Sequence, residues 1–400
     1  MRQAGKRFAL VNGRVVMPQT VERGKAIIVE GSTITGIVPV AGLDDEIDKI
    51  DVNGRLVTPG LIDIHTHGAL GHTFNEPKYE AFDVITRENA RRGVTSLLAT
   101  PATAPLSNLV ACLEFSREWM AGEHEWTQVL GVHLEGPYFD LAQAGAQDPA
   151  NVRNPDDGTA EQLLEHHDVI RMVSFAPELP GALALTSRLA ALDIVPAAGH
   201  SSAKEEEVAA AIERGLKHII HIWSAQSTTV REGPWRKPGL LEVSLTYDDL
   251  TVEMICDNKH LPPTLMKMAY KCIGPDRLCV ISDATSGAGL AEGSRYRMGE
   301  MEYEVHDGVG MMFDRSCFAG STTLLNEMLP VLIEHVGIPL TESVRMASLT
   351  PARVIGVADR KGSLETGKDA DVAIFNDDFT IWGTLINGRW AVAPKVQTSQ

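Results

Sequence analysis

Cysteine and long apolar runs are scarce in this sequence. The five cysteines, Cys112, Cys256, Cys272, Cys279 and Cys317, are odd in number, scattered, and form no CxxC pair. This usage argues against a disulfide framework and favours a reducing compartment, so we expect a cytoplasmic location. No apolar run reaches the roughly 18 residues that cross a bilayer, and the basic N-terminal stretch lacks the apolar segment of a signal peptide.

Positive charge is also in short supply. Lys and Arg number 36 against 53 Asp and Glu, which gives a formal charge of -17. Such a chain repels phosphate backbones and anionic membrane surfaces, so we expect neither nucleic acid nor membrane as a partner. Hydrophobic residues make up 44% and charged residues 22% of the 400 residues. This composition excludes disorder, collagen and coiled coil, and it fits a globular chain with a large core.

Both ends of the chain have the pattern of short strands separated by turns. Asn12-Gly13 interrupts FALVNGRVV, and Asn387-Gly388 interrupts the tail. The Asn-Gly pair is typical of tight β-turns. We therefore predict that residues 1–58 and 352–400 together form one small β-sandwich domain around a different middle domain, residues 59–351.

The middle of the chain contains eight short apolar runs, most of them without alternation, as parallel strands buried on both faces would have. They are LVTPGLIDIHTH, GVTSLLAT, QVLGVHLEG, IRMVSFAPE, DIVPAAGH, HIIHIWS, VEMICDNKH and LCVISDAT. Helical stretches lie between many of them, such as SSAKEEEVAAAIERGL, which closes at Gly215. Eight β-then-α units in about 290 residues predict an α/β fold in which residues 59–351 are a (β/α)8 barrel.

Several of these runs end in chemically capable side chains. These are His65, His67, Glu135, Glu178, His200, His221, His260 and Asp283. Because the carboxyl ends of barrel strands meet at one face, we expect these side chains to gather there. His65 and His67 are two residues apart and so lie on the same side of a strand.

The residue types at these strand ends fit a metal site. A lone histidine in such a position is more often part of a core, and buried carboxylates such as Glu135 and Asp283 need a cation or a hydrogen-bond network. Nitrogen and oxygen ligands of this kind suit Zn²⁺ or Fe²⁺ rather than Mg²⁺. At such a site water is more acidic, and a nearby carboxylate can pass its proton to a leaving amine. Asp283 is the best candidate for that proton shuttle.

Six motifs carry a family resemblance. They are PGLIDIHTHG, HLEGPYF, AGHS, VISDAT, FAGS and PARVIGVADRKGSLETGKDADVAIF. They resemble the amidohydrolase superfamily, and within it the family of N-acetylglucosamine-6-phosphate deacetylases, from near residue 8 to near residue 392. The resemblance implies a hydrolase with one or two Zn or Fe ions per chain. It would release acetate from N-acetylglucosamine 6-phosphate or a related N-acetylhexosamine phosphate. Members are commonly homodimers with residues of both subunits near the phosphate.

The resemblance also implies metal ligands. Glu135, His200 and His221 match the ligands of the main metal ion. His65 and His67 match the pair with which some members hold a second ion. By this resemblance the sequence is equipped for two ions.

Further matches imply catalytic and substrate-binding roles. Asp283 matches the catalytic acid/base, and we also count it among the predicted metal ligands. His260 matches a histidine that contacts the sugar phosphate or the reacting carbonyl region. Arg236 matches the arginine that binds the 6-phosphate, with Arg231 as a nearby substitute. Ser321, in FAGS, is a further predicted substrate contact.

The chain departs from the family at predicted substrate contacts. Ser224 and Ala225 begin a Ser-Ala-Gln segment where members have Asn-Ala-Met. Ala146 and Gln147 end a Gly-Ala-Gln segment where members have a histidine in the last position, and segment 228–235 does not align cleanly. None of these positions is a predicted metal ligand, so the resemblance keeps the chemistry and leaves the identity of the substrate open.

Four other functions are weighed for the same scaffold. A cyclic amidase of the hydantoinase or dihydroorotase type would need a modified lysine at a strand end, but the fourth run ends at Glu178. A nucleoside-type deaminase would lack the HLEGP pattern. A deacylase of a different N-acyl substrate and a non-catalytic sugar-binding regulator both remain open, although Asp283 and the predicted metal histidines are all present.

Overall fold

The computed structural model describes residues 7–394 and contains a barrel of eight parallel strands. From first to eighth, the barrel strands are Leu61–Thr66, Val94–Ala99, Gln128–Glu135, Ile170–Phe175, Val195–Ala198, His218–Ile219, Thr251–Ile255 and Leu278–Ile281. Each strand pairs with the next in chain order. Beyond the eighth strand, the backbone N–H of Asp283 donates to the carbonyl of His65 at 2.9 Å, so the last strand returns beside the first. All eight predicted strand segments and the predicted barrel are confirmed.

A helix follows each barrel strand. These helices are Tyr79–Arg91, Leu106–Ala121, Thr159–Leu164, Ala182–Ala191, Glu205–Ile212, Leu240–Thr246, Pro263–Ile273 and Leu325–Pro330. The last continues as a π-helical turn, Val331–Val336, and the helices Leu340–Met346 and Leu349–Val354 follow. Short 3-10 turns lie at Val40–Gly42 and Leu141–Gln143. None of the helices within residues 7–394 is long and apolar enough to cross a membrane.

The first predicted run, LVTPGLIDIHTH, serves two sheets. Leu56–Pro59 joins a six-stranded sheet of the chain ends, and Leu61–Thr66 is the first barrel strand. Gly60 lies between them, where a Cβ atom would stand 2.1 Å from the Oγ1 atom of Thr95. The chain changes sheets at a position that has no room for a side chain.

The two ends of the chain build two further sheets. The six-stranded sheet runs in the order Arg389–Val392, Ile381–Ile386, Val372–Phe375, Leu56–Pro59, Arg14–Val16, Val21–Glu22. The four-stranded sheet runs in the order Thr33–Pro39, Lys25–Glu30, Arg7–Val11, Asp48–Asp51. Side chains from both sheets, such as Ile27 and Val372, share one apolar core. The predicted division into 1–58 plus 352–400 and 59–351 stays a proposal, and residues 1–6 and 395–400 lie outside the described residues.

The two Asn-Gly pairs have different settings. Asn387 and Gly388, with φ of 48° and 70°, turn between the antiparallel strands Ile381–Ile386 and Arg389–Val392. Asn12, with φ of 59°, turns between strands that belong to different sheets. The Asn387-Gly388 pair therefore closes a hairpin, and the Asn12-Gly13 pair lies where the chain passes from one sheet to the other.

Several small β elements were not predicted. Arg295–Met298, Met301–His306 and Val309–Met311 form a three-stranded antiparallel sheet between the eighth barrel strand and its helix. Gly68–Ala69 pairs with His72–Thr73, and Val230–Glu232 pairs with Trp235–Lys237. The last pair is called the arginine hairpin below, because it carries Arg231 and Arg236.

Candidate metal centre and substrate face

Four predicted histidine ligands converge on Glu135 at the carboxyl ends of the barrel strands. The Oε1 atom of Glu135 lies 3.0 Å from Nε2 of His221 and 3.2 Å from Nε2 of His200. Nε2 of His65 lies 3.4 Å from Oε1, and Nε2 of His67 lies 3.4 Å from Oε2. Glu135 is therefore shared between two pairs of histidines, as a bridging ligand would be.

Asp283 completes this group from the end of the eighth strand. Its Oδ1 atom lies 3.1 Å from Nε2 of His67 and 3.7 Å from Nε2 of His65. Its backbone is fixed on both sides, since its N–H donates to the carbonyl of His65 and its carbonyl accepts from Ser321 N–H at 2.8 Å. We call Glu135, Asp283 and the four histidines the metal-ligand cluster.

Three cluster residues have an unusual backbone. His200, His221 and Asp283 have φ of 46°, 25° and 47°, in the left-handed region that non-glycine residues seldom adopt. Each comes two residues after the end of a short barrel strand and contributes its side chain to the cluster at the barrel mouth. Strain of this kind is typically kept where function needs a side chain in one direction.

Burial and the imidazoles act in opposite directions on the two carboxylates. Burial works to raise the pKa of Glu135, but the neighbouring His65 and the contacts with His200 and His221 hold it well below its ordinary value. Burial also works to raise the pKa of Asp283, and the contact with His67 is the largest of those that lower it. Both carboxylates are therefore ionised at neutral pH in a site nearly closed to solvent.

The hydrogen bonds behind the histidines show that a cation fits the cluster. Nδ1 of His67 lies 2.8 Å from the carbonyl of Thr100, and Nδ1 of His200 lies 2.9 Å from the carbonyl of Gln143. A neutral imidazole that donates from Nδ1 has only a lone pair at Nε2. These lone pairs face the oxygens of Glu135, so two hydrogen-bond acceptors lie side by side with no proton between them.

A divalent cation among these atoms removes the conflict, whereas several protonated imidazoles side by side would repel one another. His65 adds a further sign, since its Nε2 atom is buried and without a hydrogen-bond partner. Glu135 groups with His65 and His67, and again with His200 and His221, with ligand atoms within 4.8 Å of one another in each group. The residues present thus fit the expected metal.

Gln147 lies beside the cluster. Its side-chain amide donates to Oε2 of Glu135, and its Oε1 accepts from the backbone N–H of Thr103 at 2.9 Å. Next to it, the carbonyl of Ala146 accepts from the hydroxyl of Tyr303. The glutamine at the position where the resemblance predicts a histidine is therefore anchored to the carboxylate that the four histidines contact.

Other predicted substrate contacts line the same end of the barrel. Ser224 and Ala225 are half-buried and follow His221, and the carbonyl of Ala225 accepts from the N–H of Ser201. Ser321 is fully buried, and its hydroxyl accepts from the N–H of Thr323 at 2.9 Å. This hydroxyl bonds within its own loop, while the backbone of Ser321 holds Asp283.

His260 and Glu178 make contacts outside the cluster. Nδ1 of His260 lies 2.7 Å from Oδ2 of Asp257, and its ring packs at 4.9 Å from the ring of the exposed Phe318. Glu178 accepts from the hydroxyl of Ser201 at 2.8 Å. Glu178 thus supports the loop after the fifth strand.

The two predicted phosphate-binding arginines stand apart from the cluster. Arg231 and Arg236 are exposed on the arginine hairpin, and their side chains donate to the carbonyls of Gly233 and Pro234 in the same hairpin. Between them, Trp235 is 72% exposed. Within one chain, these arginines are not brought together with the metal-ligand cluster.

Sequence reasoning missed a buried carboxylate in the seventh strand. Glu253 is fully buried, and its two oxygens lie 2.8 Å from Nδ1 of His65 and 3.1 Å from Nε2 of His218. Burial works to raise the pKa of Glu253, but the neighbouring His65 and His218 lower it. A glutamate inside an apolar run such as VEMIC was the available signal, because a buried carboxylate needs a partner.

Two further buried polar residues were also missed. Asp63 is fully buried, and its Oδ1 accepts from the backbone N–H of Ser282 at 3.2 Å. His133 packs with its ring centroid 4.5 Å from that of His65, and burial together with the neighbouring His65 lowers its pKa to about 3. His133 is therefore neutral at the back of the cluster.

Comparison with known proteins gives a consistent result along the chain. The Amidohydrolase family profile matches residues 56–391, and the NagA composite domain profile matches residues 7–57. The N-acetylglucosamine-6-phosphate deacetylase of Haemophilus influenzae is 32% identical over 386 residues, which cover 96% of this chain and 99% of that protein. The N-acetylgalactosamine-6-phosphate deacetylase of Escherichia coli O157:H7 is 32% identical over 340 residues, which cover 85% of this chain and 88% of that protein.

A solved structure agrees with these matches. A mutant N-acetyl-D-glucosamine-6-phosphate deacetylase of Mycobacterium smegmatis, in complex with N-acetyl-D-glucosamine-6-phosphate, superimposes with a TM-score of 0.88 at 28% identity. The similarity covers 97% of this chain and 100% of that one. The barrel, the terminal sheets and the face that carries the cluster thus have a counterpart with a bound amino-sugar phosphate.

Proposed function

Since this chain belongs to the amidohydrolase family, and within it to the N-acetylglucosamine-6-phosphate deacetylases, we propose how its own residues carry out that reaction. The chain is a hydrolase that releases acetate from N-acetylglucosamine 6-phosphate or a related N-acetylhexosamine phosphate. One observation carries the assignment of the site: four histidines meet the shared carboxylate of Glu135, with Asp283 beside them. The cluster supports the assignment because a hydrolase of this family needs an acid/base next to its metal.

The proposed metal ligands form two groups that share Glu135. Glu135, His200 and His221 would hold a main divalent ion, and His65 and His67, with Glu135 shared, would hold a second. When bound, such a cation makes water acidic and polarises the carbonyl that is attacked. Zn²⁺ or Fe²⁺ suits these nitrogen and oxygen donors.

Asp283 is the proposed catalytic acid/base. As a carboxylate with a lowered pKa, it is ready to accept the proton of the attacking water, and in its protonated form it delivers that proton to the leaving nitrogen. Gln147, anchored to Glu135, and His260, held by Asp257, would orient the amide and the sugar. Ala146, Ser224, Ala225 and Ser321 complete the proposed substrate contacts.

We further propose a homodimer in which the arginine hairpin of one subunit reaches the phosphate bound by its partner. The support is that, among residues 7–394, the side chains of Arg231 and Arg236 donate to carbonyls of their own hairpin, beside a tryptophan that is 72% exposed. An exposed aromatic residue flanked by arginines is typical of a surface that another chain or ligand covers. A cytoplasmic location is proposed as well, supported by five free cysteines, of which Cys112, Cys256 and Cys279 are buried.

Substrate preference tests the proposed function. Metal-loaded protein should release acetate from N-acetylglucosamine 6-phosphate much faster than from N-acetylglucosamine, with N-acetylgalactosamine 6-phosphate as the epimeric comparison. The Asp283→Asn protein, prepared in the same way, controls for a contaminating deacetylase. If the metal-loaded protein releases acetate from none of these sugars, its substrate is a different N-acyl compound. The altered 224–226 and 145–147 segments would then be the positions that set the different specificity.

A further inference from the structure

The four histidines of the cluster differ in the hydrogen-bond partner of their Nδ1 atoms. His67 and His200 each place Nδ1 against a backbone carbonyl. His65 alone among the four has a carboxylate there, since its Nδ1 atom lies 2.8 Å from Oε2 of Glu253. His221 has no hydrogen-bond partner at Nδ1.

Glu253 is itself held from three directions. Besides His65, its Oε2 atom accepts from the backbone N–H of His221 at 3.3 Å. Its Oε1 atom lies 3.1 Å from Nε2 of His218, whose Nδ1 atom lies 2.7 Å from the hydroxyl of Thr251. Because the carboxylate of Glu253 can only accept a hydrogen bond, His218 carries a proton at Nε2 and donates from there to Glu253. Thr251, His218, Glu253 and His65 then form one continuous chain of hydrogen bonds.

This chain of hydrogen bonds fixes the tautomer of His65. The carboxylate 2.8 Å from Nδ1 accepts a hydrogen bond from the Nδ1–H of His65, which leaves the lone pair of Nε2 aimed at Glu135 and Asp283. A carboxylate behind a ligand histidine also makes the ring a stronger base and so a better ligand than a backbone carbonyl does. Glu253 lies on the seventh strand and contacts only one of the two histidines proposed to hold the second ion.

We propose that Glu253 is a positioning residue that makes His65 a strong ligand and thereby controls occupancy of the second metal position. This inference rests on the proposed two-ion function, and it goes beyond it by assigning the control of one position to a residue outside the metal-ligand cluster. The main position is built from Glu135, His200 and His221, whose side chains Glu253 does not contact. Loss of Glu253 should therefore affect the two ions unequally.

The test is the number of ions bound per chain, titrated with Zn²⁺ in chelator buffers and with Co²⁺ followed by its visible absorption. Glu253→Gln keeps the size of the side chain and removes its charge. We expect the affinity for the ion at the second position, that of His65 and His67, to fall about 10- to 100-fold. The ion at the main position should bind as in the wild type. The matched control is Glu88→Gln, which removes another buried carboxylate, one that accepts from Arg92 at the first helix after the barrel begins, and should leave both affinities unchanged.

The outcomes separate this inference from the proposed function. Two ions bound to Glu253→Gln with wild-type affinities, or both affinities lowered equally, would overturn the inference alone. A wild-type protein that binds a single ion would instead overturn the two-ion function on which it rests. If Glu253→Gln does not fold, His218→Gln tests the same chain of hydrogen bonds, because it withdraws the far partner of Glu253 and should weaken the same ion only.

Discussion

Oε1 of Glu135 and Nε2 of His221 lie 3.0 Å apart, although the two residues are separated by 86 positions in the sequence. Glu135 ends the third barrel strand, and His221 follows the sixth. Side chains from opposite sides of the barrel meet because every parallel strand ends at the same face. The proposed function of this chain depends on that meeting, and the following predictions test its parts.

Asp283→Asn should abolish most of the activity and leave substrate binding largely intact. The amide keeps the shape of the side chain but cannot accept the proton of water, so kcat should fall roughly 10²- to 10⁴-fold with little change in KM. Steady-state acetate release, with ion content measured on the same sample, checks this. A variant with kcat within a few fold of the wild type would remove Asp283 from the role of acid/base.

Arg236→Ala should weaken use of the phosphorylated sugar only. Loss of a charge-assisted bond to phosphate costs about 1.5–3 kcal/mol, which is roughly a 10- to 100-fold loss in kcat/KM. Activity on N-acetylglucosamine, which has no phosphate, is the internal control and should not change. Arg231→Ala is the neighbouring control on the same hairpin, and a larger effect there would transfer the phosphate contact to Arg231.

Mixing two impaired chains tests whether the hairpin acts on the partner. A heterodimer of Arg236→Ala and Asp283→Asn has one site in which the intact Asp283 of one subunit meets the intact Arg236 of the other. Random mixing should therefore restore about a quarter of the wild-type rate. No recovery, in a protein shown by sedimentation to exchange subunits, would place Arg236 at the site of its own chain.

Gly60→Ala should destabilise the fold where the chain passes from the terminal sheet into the barrel. The added Cβ would stand 2.1 Å from Oγ1 of Thr95, so the strands must shift, at a cost of about 1–3 kcal/mol. Gly42→Ala is the control, because no atom lies within 4 Å of its added Cβ and its effect should be neutral or stabilising by up to about 1 kcal/mol. Urea unfolding of the two variants measures the difference, and equal midpoints would show that the position tolerates a side chain.

The sequence predicted the barrel well because its signal is local. Each buried strand is a short apolar run, and the residue that follows it must face the barrel mouth. His200, His221 and Asp283 could be assigned in this way without knowing any contact between them. The family resemblance added the roles, and the contacts at Glu135 agree with the predicted grouping.

Other features depend on contacts that the sequence does not encode locally. The link from Glu253 to His65 crosses the inside of the barrel, and a glutamate within an apolar run does not reveal its partner. The small sheet 295–311 lies between the eighth strand and its helix. The pattern of eight β-then-α units did not predict this insertion. The arginine hairpin lies away from the cluster, and in the proposed homodimer its position relative to the phosphate would depend on a second subunit.

The most direct test of the central claim is the rate of acetate release from N-acetylglucosamine 6-phosphate as a function of divalent ions bound per chain. Protein stripped by a chelator should be inactive, and activity should return as Zn²⁺ or Fe²⁺ fills the cluster of Glu135, Asp283 and the four histidines. A rate that does not change on removal of the metal, or a fully loaded protein that releases no acetate, would contradict the account.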